Sequence, residues 1–230
     1  WAYQNNSILR RNALGNFKQF AREITLDTGM LFYQNGYLNT NAAPDENYGR
    51  ELQELFVVGK GADNATQGFA EADVKAAARV LTGWQINGTT NTSFFNSNRH
   101  DPTSKQFSAF YNNTVITGRT GPTAGGLELD DLLNMLFSIN DPSLHICRKL
   151  YRWFVYYEID AAAEVNVIAP LAQIFRTNNY EIKPVLETLL KSEHFFDVLN
   201  QGCYIKSPVD MIVGLCREFS VVFPPVATDY

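Results

Sequence analysis

Residues 44–61 read Pro-Asp-Glu-Asn-Tyr-Gly-Arg-Glu-Leu-Gln-Glu-Leu-Phe-Val-Val-Gly-Lys-Gly, and no other stretch narrows the choice of fold as much. Proline suits the first turn of a helix, Asp45 and Glu46 suit the positive end of its dipole, and Gly59 and Gly61 stop it. At about 100° per residue, Tyr48, Leu52, Leu55 and Phe56 fall on one arc. Asn47, Glu51 and Glu54 form a polar stripe along the edge of that arc. Such a stripe is either a site or a structural ion-pair network.

The same 3.6-residue period recurs along most of the chain. Residues 7–25 form one helical pattern, with Ile8, Leu9, Leu14, Phe17, Phe20, Ala21 and Ile24 inward. Asp27-Thr28-Gly29 caps a short helix through Tyr33, and the Asn- and Gly-rich residues 35–44 form a loop. Residues 71–82 place Val74, Ala77, Ala78 and Leu81 on one face, closed by Thr82-Gly83-Trp84. Residues 127–137 are helical. Asp141-Pro142 opens the next helix, expected to run to Tyr157 and to be apolar over most of its circumference, which makes it the central one. Further helices cover 161–176 and 182–192, and Ser207-Pro208-Val209-Asp210 is a capping box opening the last, through about Val221. Between Asn87 and Gly126 the composition shifts to Asn, Thr, Ser and Gly, with two aromatic runs, Phe94-Phe95 and 107–111. A two-stranded hairpin or irregular excursion fits there, with strand confined to 94–115 and a flexible loop over 118–126. The fold class expected is mainly α: a single multi-helix domain over residues 1–230 with a small β-hairpin excursion at about 87–126.

Composition limits the functional classes. With 45% hydrophobic and 19% charged residues, a chain of 230 residues can bury a core. The 13% aromatic content suits a dense core or a carbohydrate-like binding surface. A net charge of −5 argues against general affinity for nucleic acid. No apolar run reaches the roughly 18–20 residues of a membrane span. Cys147, Cys203 and Cys216 are too few and scattered for a disulfide framework or a zinc site, and the first and last sit in apolar helical patterns as small buried residues. The three histidines, His100, His145 and His194, lack metal-ligand spacing. No nucleophile elbow, phosphate-binding loop or dinucleotide fingerprint occurs, so neither a metal nor a cofactor is expected. The chain begins at Trp1 without methionine, as a piece of a longer protein would.

Read in order, 46–56 (Glu-Asn-Tyr-Gly-Arg-Glu-Leu-Gln-Glu-Leu-Phe), Gly59-Lys60-Gly61, Asp73-Val74, Leu81-Thr82-Gly83-Trp84, His100-Asp101 with Lys105, and 145–155 resemble the bacterial family catalogued as domain of unknown function 1800. The resemblance covers about residues 11–218. It implies an exported setting, periplasmic or cell-surface, and an upstream segment preceding Trp1. It carries no activity. Gly49 stands where the family often has Ala, and Pro102-Thr103-Ser104 replaces its Gly-containing turn.

The site residues proposed from sequence are Asn47, Arg50, Glu51, Glu54, His100, Asp101, Lys105 and Arg148. Arg50 is four residues from both Glu46 and Glu54, the spacing of a surface ion-pair ladder. Glu51 and Arg148 both border apolar arcs, where a lone charge is costly, so they are expected to pair. His100-Asp101 reads either as a turn or as acid–base chemistry. Two functions follow: a helical module binding an unknown protein or polymer, or a hydrolase-like enzyme whose cleft joins Asn47, Glu51 and Glu54 to the His100-Asp101 turn.

Overall fold

The computed structural model describes residues 1–60, 68–203 and 205–223. Helices dominate it: α1 (Ala2–Asn12), α2 (Phe17–Thr25), α3 (Thr28–Tyr33), α4 (Asn47–Glu51), α5 (Glu71–Val80), α6 (Ala124–Leu136), α7 (Asp141–Phe154), α8 (Ala161–Ala163), α9 (Ala169–Thr177), α10 (Ile182–Lys191) and α11 (Pro208–Glu218). One core cluster runs through α2, α4–α7, α9 and α10, with Leu52, Val74, Leu129, Cys147, Phe175 and Leu189 among its members. α11 opens with the expected Ser207–Asp210 capping box, yet it buries none of its residues. Cys216 is therefore partly exposed, contrary to the small-buried-residue reading, and all three cysteines are free.

The helix expected over 7–25 is two. Asn16 breaks it by capping α2, its side chain accepting from Gln19 N at 3.0 Å. The break is pinned from afar, because Phe17 N donates to Tyr180 O at 2.8 Å and Ile182 N to Gly15 O at 3.0 Å. An Asn that satisfies the first turn of a new helix competes with continuing the old one.

The helix expected over 44–61 also departs from its wheel; its expected stop at Gly61 lies outside the described residues. α4 passes at Leu52 into a π-helical segment, Leu52–Val57. Each π turn holds about one more residue than an α turn, so the face rotates. Leu55, expected inward, is 48% exposed, while Gln53 is fully buried. Gln53 survives there because Tyr111 OH donates to its Oε1 at 2.8 Å and its Nε2 donates to Gly49 O at 2.9 Å. A second π segment, Glu164–Ile168, joins α8 to α9. Both π segments pack against α7. That helix is central but shorter than expected, ending at Phe154 with Trp153 exposed.

The β excursion starts earlier than residue 94 and is double. β1 (Trp84–Asn87) pairs antiparallel with β2 (Thr92–Phe95), Trp84 facing Phe95, and β3 (Lys105–Gln106) pairs with β4 (Val115–Ile116). Gly83 ends α5 as expected, at φ +94°, but its carbonyl accepts from Asn96 N at 2.9 Å and so leads directly into a strand. The expected loop over 118–126 is shortened by α6, which starts at Ala124.

Candidate functional site

The sequence places eight residues under suspicion, and the fold gives most of them partners in its own framework. On α4, Asn47 donates to Gln34 Oε1 at 2.7 Å. Arg50 holds Glu71 of α5 through both terminal nitrogens and reaches Glu46 at 3.3 Å and Glu54 at 3.7 Å, the expected ladder with a cross-helix rung added. Glu54 also binds Lys60 at 2.7 Å. Arg148 does not pair with Glu51. Its guanidinium grips Glu164 of the second π segment, Nε lying 3.0 Å from Oε2. The wheel missed this partner because Glu164 lies only sixteen residues on, across the turn after α7. Glu51 keeps Oε2 buried with no hydrogen-bond partner among the described residues.

The His100–Lys105 turn faces another way. His100, Lys105 and Glu128 of α6 form a buried cluster that holds the turn against α6. Lys105 Nζ bonds Glu128 Oε2 and donates to Asp101 O. His100 Nε2 lies 3.1 Å from Glu128 Oε1, at ion-pair distance but off the line of a strong hydrogen bond. Arg119 N donates to the same oxygen at 2.7 Å. Burial pushes the Glu128 carboxyl up, but the His100 and Lys105 contacts outweigh it and hold the group below its usual range. Burial lowers Lys105 against the pull of Glu128. Asp101 is held down to about 2: burial opposes this, and the bonds from Arg79 and Thr103 overcome it. The cluster is enclosed, and the α4 stripe and the turn bond different neighbours.

A polar concavity lies elsewhere. A cleft of about 570 Å³ opens between the end of α7, the start of α8 and the turn after α10. Tyr151, on the inward face of α7, is buried, and its hydroxyl lies 2.9 Å from His194 Nε2. Burial pushes the Tyr151 phenol up, and the Asp160 carboxylate adds to it. Asp160 caps α8, accepting from Ala163 N at 2.7 Å, and Asp197 accepts from Leu199 N at 2.9 Å. Each of these caps leaves a carboxylate oxygen for the cleft. Glu158 and Asn166 also line it and make no hydrogen bond or ion pair among the described residues. The cleft size is that of a ligand site. Sequence reasoning had Tyr151 as core and His194 as a surface or core residue. Their meeting depends on how 192–197 folds back over α7, which no local pattern announces.

Among the described residues, no group of three His, Cys, Asp or Glu is placed to hold a metal. No helix among them is long and apolar enough to cross a membrane. One family model, described as Protein of unknown function (DUF1800), matches residues 1–229. No curated protein and no solved structure matches the chain.

Proposed function

The chain belongs to the DUF1800 family, whose description names no activity, and from that starting point we propose that it is a binding module that takes a partner or polymer in the Tyr151–His194 cleft. The observation that carries this is the cleft itself: a ligand-sized hollow whose polar side chains Glu158 and Asn166 have no hydrogen-bond or ion-pair partner among the described residues. Polar groups converging on a hollow with no competing partners there are what a binding site needs. The exported or cell-surface setting belongs to the same reading and rests on the family resemblance; fractionation of a producing cell tests it separately. Asn166→Trp is the direct test of the cleft. The indole fills the hollow from an exposed position, so folding is expected to be unchanged. In a thermal-shift screen of oligomers and polymers, compounds that raise the wild-type midpoint should leave the variant's midpoint where it was. Hits that shift both proteins equally would remove the cleft from consideration.

A hydrolytic reading draws on one specific contact, the 2.9 Å approach of His194 Nε2 to Tyr151 OH in the cleft wall. This is a pair able to pass a proton beside the Glu158 carboxylate. It predicts turnover of whatever binds, lost in His194→Gln with binding retained.

A further inference from the structure

Beside the cleft lies a second hollow of about 230 Å³, walled by Arg152, Tyr156, Tyr157 and Ile205. Tyr156 lines both hollows, so the two adjoin at a single aromatic ring. Tyr157 stands next to it, the two ring centroids 4.5 Å apart. A compact small molecule needs one hollow; a chain can use both.

The charges restrict what kind of chain. Among the described residues the cleft carries Glu158, Asp160 and Asp197 and no lysine or arginine, which repels an anionic polymer such as a nucleic acid or an acidic polysaccharide. Among the described residues the second hollow carries Arg152 and no carboxylate, which opposes a polycation lying along both hollows. The remaining groups suit hydroxyls. Asp160 and Asp197 are fixed by their backbone caps with one acceptor oxygen each to spare, and the Asn166 amide both donates and accepts, as a hydroxyl does. A tyrosine ring supplies an apolar face with a polar edge, the surface a pyranose ring can lie on.

Resting on the cleft reading above, we infer that the ligand is a neutral, hydroxyl-rich chain, a polysaccharide segment long enough to cross Tyr156. The test is calorimetric titration of the intact chain with neutral hexasaccharides of glucose, xylose and N-acetylglucosamine, with the matching monosaccharides, and with polylysine and polyglutamate. At least one hexasaccharide is expected to bind and its monosaccharide is not. Tyr156→Ala should weaken that binding by about tenfold or more, and Tyr156→Phe should restore most of it. Circular dichroism of each variant confirms that it is folded. If polylysine or polyglutamate binds while the hexasaccharides do not, and Asn166→Trp abolishes it, the ligand class is overturned and the cleft stands. If a hexasaccharide binds equally to wild type, Tyr156→Ala and Asn166→Trp, both the ligand class and the cleft fall. If no hexasaccharide binds, the inference is wrong.

Discussion

The hydrogen bonds around His100 commit each of its neighbours to a single role in this fold. Thr82 Oγ1 donates to Arg79 O and accepts from Asp101 N, both at 2.8 Å, so it has no proton for the imidazole. His100 Nδ1, 2.9 Å from Thr82 O, is therefore the donor. The ring is thereby oriented with Nε2 toward Glu128, and Glu128 becomes the residue on which two basic side chains converge. Glu128→Gln should cost about 3–5 kcal/mol in a denaturant melt, because Lys105 would lose its buried counter-ion. Lys105→Met combined with Glu128→Leu should recover most of that, and a single-variant loss under about 1 kcal/mol would show the cluster to be hydrated. His145 offers a second measurement. Its Nε2 lies 2.9 Å from Leu55 O at the π segment. Burial lowers its pKa to about 4, the Leu55 bond opposing and the cations Lys149, Arg148 and Arg152 assisting. An unfolded histidine titrates at about 6.5. Between these two values the unfolded chain binds the extra proton, so the contribution is whole above about 6.5 and drains away as pH falls toward 4. His145→Gln should abolish roughly 1–3 kcal/mol of the acid-side loss, seen by comparing melts of the two proteins at pH 7 and pH 4.5.

At the scale of elements, what was legible followed from whether a helix obeys one period from end to end. α3, α5, α10 and the capped start of α11 do, and their boundaries could be read within about two residues. The α4 stretch starts regularly and then takes up a π turn, so a single wheel placed Leu55 inside and missed Gln53. The site residues were hidden for a related reason. Arg148 was rightly seen to need a carboxylate, but sequence gave no means of choosing Glu164 over Glu51, and the Tyr151–His194 cleft is assembled from three separate element ends. The close of the α4 stretch is testable. Gly59 sits at φ +84°, and a Cβ there would run into the His145 ring. Gly59→Ala should cost about 1–3 kcal/mol in a melt through the strained backbone, with more if the His145–Leu55 bond is lost. A neutral result would mean that the turn can rearrange.

Across the whole molecule the burial is uneven. The core cluster ends at Leu189, with Phe195 packed against it, while α11 leaves Val209, Met211, Ile212 and Leu215 exposed, as is Phe219 just after it. Elements that bury little add little to global stability. A chain ending at residue 206 should therefore melt within about 2 °C of the longer one. A drop of ten degrees or more would show that α11 docks on the body.

The elbow at Asn16 carries a consequence for how the chain reaches this state. Asn16 Nδ2 bonds Asn179 O at 2.7 Å and Glu181 Oε1 at 3.1 Å, partners 163 and 165 residues away. Contacts so distant in sequence close large loops and form after local ones. During synthesis, the corner between α1 and α2 stays unlatched until the 178–182 turn has been made and has folded back. The first corner in the chain is thus among the last fixed. In a pulse-labelling refolding experiment, the Phe17 amide, which donates to Tyr180 O, should gain protection together with the Ile182 amide and later than the amides in the middle of α5.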